Sequence, residues 1–465
     1  MRDSLFRAAQ RGKYFPMEES VGQLQDDQLT NAAFQDSFVS LPTMHAPARK
    51  ERKTILWPYP RGTADCIDRA NCADHFLRFN PDYRVLTDLA LAFQEHASLD
   101  HHRNDLIVFA PFEDIIPQLT LNQDGCICFR GRSCQVMLNE LSLGYLHRQK
   151  LLDARTSLSA DHADHAMPRH LATQIINGSR VGLFKAMQMT HFERMSGQLA
   201  GLDVATLPHT VAATENEARA QLLSMNQDGA AAVIRPFSAS QGTAVSFVGP
   251  GKMGEEEIAN VLTTQRERYQ AKYGNNDPYP VTMSPFAEAV KIEGCVTDAR
   301  IFVVYDPKEG GIRSIPGMVR RAQVPLANRS KLELANAATN LNALPAADAV
   351  DGPRVFPLAH PDILRSLCLT RERLVSLCIA ASRIWADAFS KTQMEANADN
   401  RPDSPQFGYG SVDFVIREGD HKAVPIEMNG SNVGSHPAVH PKYLDAFGQA
   451  TTHALHNLGL GDDGI

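Results

Sequence analysis

The stretch VDFVIREGDHKAVPIEMNG, residues 412–430, contains two apolar runs joined by a polar turn. An acid interrupts each run, Asp413 in the first and Glu427 in the second, and Asn429 follows the second acid. Apolar runs around a short polar turn predict a β-hairpin, with EGDH at residues 418–421 as the turn. In an antiparallel pair around that turn, Asp413 and Glu427 lie opposite or nearly opposite each other.

The two faces of this hairpin differ in character. Period-two alternation puts Asn429 on the face of Glu427. The other face takes the apolar residues Val412, Phe414, Ile416, Val424, Ile426 and Met428. Opposed carboxylates repel each other unless a cation neutralises them, and two carboxylates with an amide oxygen suit Mg²⁺. We therefore predict a magnesium site on Asp413, Glu427 and Asn429. The alternative is an exposed face whose acids are separated by water.

That prediction has a consequence for stability. If the acidic face lies outside the core, replacing Asp413 or Glu427 by alanine removes metal binding with little loss of folding.

Upstream, AAVIRPFSASQGTAVSFVGP, residues 231–250, combines an apolar run, an arginine and a loop of small residues. The run delivers Arg235 to the end of a predicted strand. Backbone N–H groups of the loop that contains Ser240 and Gly242 can approach phosphate oxygens. The spacing is not that of GxxxxGK[ST], and a plain hairpin with Gly242 in its turn is the alternative.

Between these two stretches lies CVTDARIFVVYD, residues 295–306, which predicts a strand with Asp298 and Arg300 on one face. GIRSIPGMVRRA, residues 311–322, is its expected hairpin partner and brings further arginines to the same sheet. These are Arg313, Arg320 and Arg321. Arginines that flank an acid triad favour polyphosphate binding, whereas a basic surface face is the alternative.

The whole chain restricts the function classes. It has 465 residues with 53 acidic and 46 basic side chains, a formal net charge of -7, so no global positive field attracts nucleic acid or an anionic membrane. Its 8 cysteines form no dense framework, which indicates reduced thiols and a cytoplasmic setting. No apolar stretch approaches the roughly 20 residues of a membrane helix.

The N-terminal region reads as an α/β unit. Residues 83–97 have a helical apolar pattern, and the apolar run at 105–112 predicts a buried strand. Length and these patterns predict more than one domain.

Taken in chain order, these motifs resemble the ATP-grasp superfamily of carboxylate–amine ligases, over about residues 175–445. The resemblance implies an α/β fold with α+β lobes. Residues 1–160 would form an N-terminal α/β domain like the one that precedes the ATP-grasp domain. Residues 161–250 would form the small lobe with the phosphate loop, and residues 251–465 the large lobe with the magnesium-binding hairpin.

The resemblance implies which residues contact the phosphates of ATP. Lys185, in LFKAMQMTHFERMSGQLAG at residues 183–201, matches the nucleotide-contacting lysine of the family. Arg235 stands where many members have a phosphate-binding lysine, which keeps the charge but offers a planar fork. Ser240 and Gly242 match the flexible phosphate loop.

The resemblance also implies a hinge at SPFAEAVKIEG, residues 284–294, where the adenine would bind. Glu288 and Glu293 both fit the glutamate near adenine or ribose, and Glu288 is preferred. The backbone around Ala289 and Val290 would meet the base edge.

The implied reaction is the ATP-dependent joining of a carboxylate to an amine through an acylphosphate, with Mg²⁺ bound. Asp298 and Arg300 would lie at ribose or phosphate, and Arg300 would stabilise the transferred phosphoryl group. Arg320 or Arg321, with backbone N–H groups of residues 430–434, would hold the tetrahedral oxyanion.

The expected partners are small carboxylate and amine substrates, such as an amino acid or a peptide, without nucleic acid or membrane. A homodimer is one option for the oligomeric state. Two other functions remain open: an ATP-dependent phosphotransferase, and a non-catalytic nucleotide-binding module on the same fold.

Overall fold

The structure of the protein is a computed structural model. It describes residues 21–41, 54–59, 106–111, 118–123, 126–138, 173–176, 185–237, 244–306, 308–326, 332–339, 349–352, 354–398 and 409–430. The predicted α/β class is confirmed, because a parallel sheet is followed by an antiparallel four-stranded sheet and a larger sheet packed against helices. None of the helices in these ranges combines the length and apolarity needed to span a bilayer.

The first described elements are helix α1 (Val21–Asp36) and strand β1 (Val39–Ser40). A parallel sheet in the order β3-β2-β7-β8 follows, and a small antiparallel sheet lies in the order β4-β5-β6. The strands are β2 (Thr54–Tyr59), β3 (Leu106–Pro111), β4 (Leu119–Leu121), β5 (Ile127–Phe129), β6 (Arg132–Cys134), β7 (Val136–Leu138) and β8 (Gln174–Ile176). Strand β3 confirms the buried strand predicted at 105–112, and the helix predicted at 83–97 lies outside the described residues.

Helices α2 (Lys185–Arg194) and α3 (Ser196–Ala200) lead into the small lobe. That lobe is an antiparallel sheet in the order β11-β10-β12-β9 with two helices on one face. Its elements are β9 (Thr210–Ala212), α4 (Glu215–Met225), β10 (Ala232–Pro236), β11 (Ser246–Val248), α5 (Glu255–Tyr273) and β12 (Val281–Pro285). Ile234 on β10 packs into the helix-side core, and alternation turns Arg235 to the other face.

The large lobe is built on a sheet in the order β1-β15-β14-β17-β18, with β13 and β16 attached. Its elements are β13 (Lys291–Ile292), β14 (Cys295–Asp306), β15 (Gly311–Arg321), α6 (Leu334–Ala337), β16 (Val355–Pro357), α7 (Pro361–Ser366), α8 (Arg371–Ala398), β17 (Tyr409–Ile416) and β18 (Ala423–Asn429). The predicted pairing of β14 with β15 is confirmed. The predicted register of the last hairpin is also confirmed, since Asp413 pairs with Glu427.

The domain boundaries differ from the predicted ones. The small lobe extends to Pro285, because α5 and β12, which follow the predicted boundary at residue 250, belong to its sheet and core. Strand β8 belongs to the N-terminal sheet although it follows residue 160.

The N-terminal segment is part of the large lobe. Strand β1 pairs with β15, and Leu29 and Ala33 of α1 lie in the large-lobe core. Arg313 on β15 donates to the carbonyl oxygens of Phe34 and Gln35, at 3.0 and 2.9 Å, which caps the C-terminal end of α1. Residues 21–40 therefore belong to the large lobe, although the predicted N-terminal domain, residues 1–160, included them.

Two register shifts lie in or next to the β17–β18 hairpin, which carries Asp413 and Glu427 and is called the acidic hairpin below. One occurs in the β14–β15 pair between Arg300 and Ile301, and the other in the β17–β18 pair between Asp413 and Phe414. A β-bulge bends its strand and re-aims the neighbouring side chains. Gly317 permits the first shift, since a Cβ there would lie 2.5 Å from the carbonyl oxygen of Arg300.

A glycine on β17 allows the main helix to pack against the hairpin. A Cβ at Gly410 would lie 2.7 Å from the indole ring of Trp385, a fully buried residue of α8. We expect Gly410→Ala to destabilise the protein by about 1–3 kcal/mol, as overpacking of a core does. Urea unfolding measures the change.

Gly419, in the turn of the same hairpin, is the matched control. A Cβ there meets nothing within 4 Å, so Gly419→Ala is expected to change the stability by less than about 0.5 kcal/mol. Equal stability of both variants would contradict the tight contact at Trp385.

Candidate functional site

The centre of the candidate site is a buried ion pair between adjacent strands. Arg300 on β14 pairs in register with Asp413 on β17. Its Nε lies 2.7 Å from Oδ1 of Asp413 and its Nη2 lies 2.8 Å from Oδ2. The Asp413 side chain is 0% exposed. Two parallel bonds of this kind fix the orientation of the carboxylate relative to the guanidinium.

Arg320 extends the pair into a chain of alternating charges. Its Nε and Nη2 donate to Oδ1 and Oδ2 of Asp298, at 2.8 and 2.6 Å. The same Nη2 lies 2.7 Å from Oδ2 of Asp413. The hydroxyl of Thr339 also donates to Asp298. We call Asp298, Arg300, Arg320 and Asp413 the buried charge cluster.

The pKa values in this cluster follow from burial and from the neighbouring charges. Burial opposes the ionisation of Asp413, but Arg300 and Arg320 outweigh it and hold the pKa of Asp413 well below its usual range. Burial raises the pKa of Asp298, and Arg320 offsets that rise only in part. Burial disfavours the charge of Arg320, yet Asp298 and Asp413 raise its pKa. Asp413 is therefore a firmly ionised acid at neutral pH.

Glu427 and Asn429 lie on the more open side of the cluster. The ammonium of Lys185, at the start of α2, pairs with Glu427, whose side chain is 35% exposed. The Asn429 amide lies 3.4 Å from Oδ2 of Asp413. With this amide turned over, its nitrogen is 3.1 Å from Glu427 and its oxygen 3.3 Å from Arg300. The structure thus brings Asp413, Glu427 and Asn429 together.

The oxygen donors of these residues fit a magnesium ion. The carboxylates of Asp413 and Glu427 lie opposite each other with the Asn429 amide beside Asp413, and Mg²⁺ usually takes one or two protein carboxylates. No cluster of three or more His, Cys, Asp or Glu side chains suited to a metal occurs in the described part of the chain. With Asp413 and Glu427 as the two acids, the Asn429 amide would have to supply the third oxygen. The repulsion predicted between the acids is relieved by side-chain cations, namely Arg300, Arg320 and Lys185.

The expectation that the acidic face lies outside the core is wrong for Asp413. Val412 and Phe414 lie in the main core as predicted, but Val415 lies in a second core cluster on the opposite side. The hairpin is thus covered on both faces. Asp413 is neutralised there by two arginines, and its removal would leave their buried charges uncompensated.

Arg235 brings the small lobe to this site. Its Nη1 lies 3.0 Å from the hydroxyl of Ser284, and burial lowers its pKa against the opposing effect of the Glu427 carboxylate. The backbone N–H of Lys185 donates to the carbonyl of Phe237, just after β10, at 3.3 Å. Small-lobe and large-lobe groups therefore meet around Glu427. The predicted loop residues Ser240 and Gly242 lie outside the described residues, as do residues 431–434.

The hinge segment is tied to the turn of the acidic hairpin. The N–H of Glu418 donates to the carbonyl of Glu288 at 2.9 Å, and the N–H of Val290 donates to the carbonyl of Ile416 at 2.8 Å. Ala289 lies between these bonds, so its own N–H and C=O point away from the hairpin. Of the two predicted backbone contacts to a base, the N–H of Val290 is already engaged, while Ala289 is buried with its backbone groups directed away from the hairpin.

Two predicted residues lie apart from the cluster. Arg321 follows Arg320 on β15 and points to the opposite face, because side chains alternate along a strand. It pairs there with Glu293 and donates to the carbonyls of Val350 and Asp351, at 3.3 and 3.2 Å. The structure brings Arg320, and not Arg321, to the acids. Glu293, the alternative hinge glutamate, is the partner of Arg321 on that face.

Two residues of the site were not predicted from the sequence. Thr339 reaches Asp298 from a segment without a recognisable pattern, so the sequence contains no signal for it. Gln188 contacts β18 through its side-chain amide. Its signal was the helical spacing of three residues from Lys185, which puts both side chains on one face of α2.

Comparisons with known proteins give structural similarity only. No protein-family model and no curated protein matches the sequence. Among solved structures, D-alanyl-alanine synthetase A from Vibrio cholerae is similar with a TM-score of 0.42 and 9% identity, over 87% of this chain and 98% of that chain. D-cycloserine synthetase gives 0.39 and 13%, over 86% and 99%. D-alanine-D-alanine ligase from Helicobacter pylori gives 0.35 and 12%, over 86% and 99%. Similarity of this degree leaves the site to be assigned from its own geometry.

The burial of Asp413 predicts a large loss of stability on its neutralisation. We expect Asp413→Asn to cost about 3–5 kcal/mol, because Arg300 and Arg320 lose their shared anion. Since the folded-state pKa of Asp413 is lowered, this difference is present above the ordinary aspartate pKa of about 3.9 and shrinks as the pH falls below it. Urea unfolding of both proteins between pH 8 and pH 3 measures it.

Asp420→Asn is the control for this test. Asp420 pairs with Arg417 in the exposed turn of the same hairpin, so its loss is expected to cost less than about 1 kcal/mol. A cost for Asp413→Asn no larger than that of the control would contradict the buried pair.

Proposed function

We propose that this protein is an ATP-dependent ligase that activates a substrate carboxylate as an acylphosphate and joins it to an amine, forming an amide or peptide bond. One observation carries the proposal. Lys185 on the connecting helix pairs with Glu427 of the large lobe, and Arg235 of the small lobe lies close enough for that carboxylate to influence its pKa. Cations that can bind phosphates therefore lie beside the two carboxylates and the amide proposed to bind the metal. The sequence resemblance to the ATP-grasp superfamily agrees with it.

The nucleotide would lie between the two lobes. The outward N–H and C=O of Ala289, with Glu288 beside them, suit the edge of an adenine ring. Lys185 and Arg235 would then hold the phosphates at the other end of the cleft. Asp413, Glu427 and Asn429 would hold Mg²⁺, which supplies charge neutralisation for the transferred phosphoryl group.

The side chains of the buried charge cluster, with Lys185 and Arg235 beside it, support both halves of the reaction. In the first half, an oxygen of the substrate carboxylate attacks the γ-phosphorus in line. The bond to ADP breaks and its electron pair leaves with ADP, while Arg235, Lys185 and Arg300 stabilise the charge on the transferred oxygens. In the second half, the amine nitrogen attacks the activated carbonyl carbon and loses a proton, and phosphate leaves. Arg320 is the candidate to hold the oxyanion.

The proposed substrates are a small carboxylate and a small amine, with an amino acid or a peptide as the candidate class. Arg321 is left out of the proposed machinery because it points to the other face of β15. An enzyme that consumes ATP, in a chain whose 8 cysteines form no dense framework, suits the cytoplasm.

Arg235 tests the phosphate half of the proposal. We expect Arg235→Met to weaken ATP binding by about 2 kcal/mol, on the order of thirtyfold in Kd, because one charge-assisted phosphate contact is lost. Arg235→Lys keeps the charge and is expected to retain part of the affinity. Calorimetric titration with ATP and Mg²⁺ measures both.

Arg219→Met is the matched control, since Arg219 lies on α4 of the same lobe and pairs with Glu215 there. Its ATP affinity is expected to equal that of the parent. If Arg235→Met also binds ATP like the parent, Arg235 makes no contact with a phosphate, and the phosphate half of the proposal fails.

Hydroxylamine decides the reaction class. If an acylphosphate forms, ADP release depends on a carboxylate substrate, and hydroxylamine traps the activated acyl group as a hydroxamate without the natural amine. The measurement is a screen of amino acids and short peptides for ADP and hydroxamate. Glu427→Gln, which removes a proposed metal ligand that is one-third exposed, is expected to lose both products while staying folded.

The alternatives give other patterns. A phosphotransferase releases ADP with a hydroxyl acceptor and forms no hydroxamate. A nucleotide-binding module releases no ADP. If a carboxylate substrate leads to ADP release but never to a hydroxamate or an amide, the ligase proposal is overturned.

A further inference from the structure

The strand that carries two of the proposed metal ligands lies at the edge of its sheet. Within the described residues, strand β18 pairs with β17 on one side and is the last strand in the order β1-β15-β14-β17-β18, and on its outer side only its first residue, Ala423, forms a bridge, to Val204. An edge strand has backbone N–H and C=O groups without a partner strand, which makes its position less well fixed. Glu427 and Asn429 lie on this strand with Met428 between them.

The side-chain amide of Gln188 forms hydrogen bonds with both backbone groups of Met428. Its Nε2 donates to the carbonyl of Met428 at 2.9 Å, and its Oε1 accepts from the N–H of Met428 at 3.2 Å. A primary amide has one acceptor and two donor hydrogens, so it can satisfy both backbone groups of one strand residue at once. Gln188 is fully buried, which shields both bonds from water.

The helix that carries Gln188 is itself fixed to the large lobe. His191, also fully buried, lies one turn further along α2 and contacts the carbonyl of Ile384 on α8 at 2.9 Å through Nε2. Lys185 lies one turn before Gln188 and pairs with Glu427. The same face of α2 therefore contacts Met428, its neighbour Glu427 and the main helix of the lobe.

We propose that Gln188 is a positioning residue for the metal and nucleotide site. Its amide bonds the backbone of Met428 as a neighbouring strand would. It thereby sets the distance between Lys185 and the two proposed ligands Glu427 and Asn429. The inference rests on the proposed function, because it assigns Gln188 a role at the same site. Partners that orient metal ligands typically change metal affinity or activity by about 10–100-fold when removed.

A second double contact of the same kind provides a matched control. The hydroxyl of Ser37 donates to the carbonyl of Ser314 at 3.1 Å and accepts from the N–H of Ser314 at 2.8 Å. Ser37 is fully buried and contacts β15 of the same sheet, away from the acids. Ser37→Ala and Gln188→Met each remove two bonds to the backbone of one strand residue. Both are expected to lower the melting temperature.

The experiment compares Mg²⁺-dependent ADP binding in the parent, Gln188→Met and Ser37→Ala by calorimetry. We expect the Mg²⁺ concentration for half-saturation to rise about tenfold or more in Gln188→Met and less than twofold in Ser37→Ala. Hydrogen exchange at the Met428 amide is expected to accelerate in Gln188→Met alone. If Gln188→Met does not fold, Gln188→Asn, whose amide is one methylene short of β18, is expected to change both readouts in the same direction.

The outcomes separate the two proposals. Equal Mg²⁺ dependence in all three proteins would show that Gln188 only stabilises the fold, and would overturn the inference. Absence of Mg²⁺·ADP binding in every protein, the parent included, would overturn the proposed function and the inference with it. Slower or unchanged exchange at Met428 in the folded Gln188 variant would likewise contradict the role of its amide.

Discussion

The structure of the candidate site depends on one buried ion pair, between Arg300 on β14 and Asp413 on β17. A carboxylate in the interior of a sheet is unfavourable unless its charge is matched and its oxygens accept hydrogen bonds. Arg300 meets both requirements with two bonds from the neighbouring strand. Arg320 adds a third bond from the strand beyond. Three adjacent strands are thereby connected through their side chains as well as their backbones.

The acids and bases of the candidate site, the buried charge cluster together with Glu427 and Lys185, are equal in number. Asp298, Asp413 and Glu427 are matched by Arg300, Arg320 and Lys185 through direct contacts. In the proposed function, a polyanion that entered the cleft would compete with these carboxylates for the same cations. A divalent cation that enters with it compensates the carboxylates, because opposite charges attract strongly where water is excluded. In the proposed function, such an exchange of partners would let the site hold a metal and a polyphosphate together.

The position of the cluster follows from how the lobes are joined. Helix α2 contacts Phe237 of the small lobe through its first backbone N–H, and it contacts β18 of the large lobe through Gln188. The hinge segment contacts the turn of the acidic hairpin at Glu288 and Val290. At the far edge of the sheet, α1 and β1 complete the large lobe and are held by Arg313. The lobe that carries the acids thus recruits segments from three distant parts of the chain.

The sequence by itself determined the local elements and the facing of the acids. The alternation in residues 412–430 and its short turn predict the hairpin and bring Asp413 close to Glu427, and the register shift between Asp413 and Phe414 sets them directly opposite each other. The same alternation put Asp298 and Arg300 on one face of β14. The sequence did not distinguish Arg320 from Arg321, since a one-residue shift decides which of two neighbours faces the acids, and the irregular pairing at Gly317 sets that shift.

Only the tertiary structure decided what neutralises the acids and which segments belong to each lobe. Arg300 and Arg320 lie 113 and 93 residues from Asp413 along the chain, so no local pattern reports their contact. Thr339, Gln188 and the helix α1 enter the lobe in the same way, through contacts between segments that are distant in sequence. Hydrophobic and polar periodicity records which face of an element is buried, whereas the identity of the partner depends on how the elements pack.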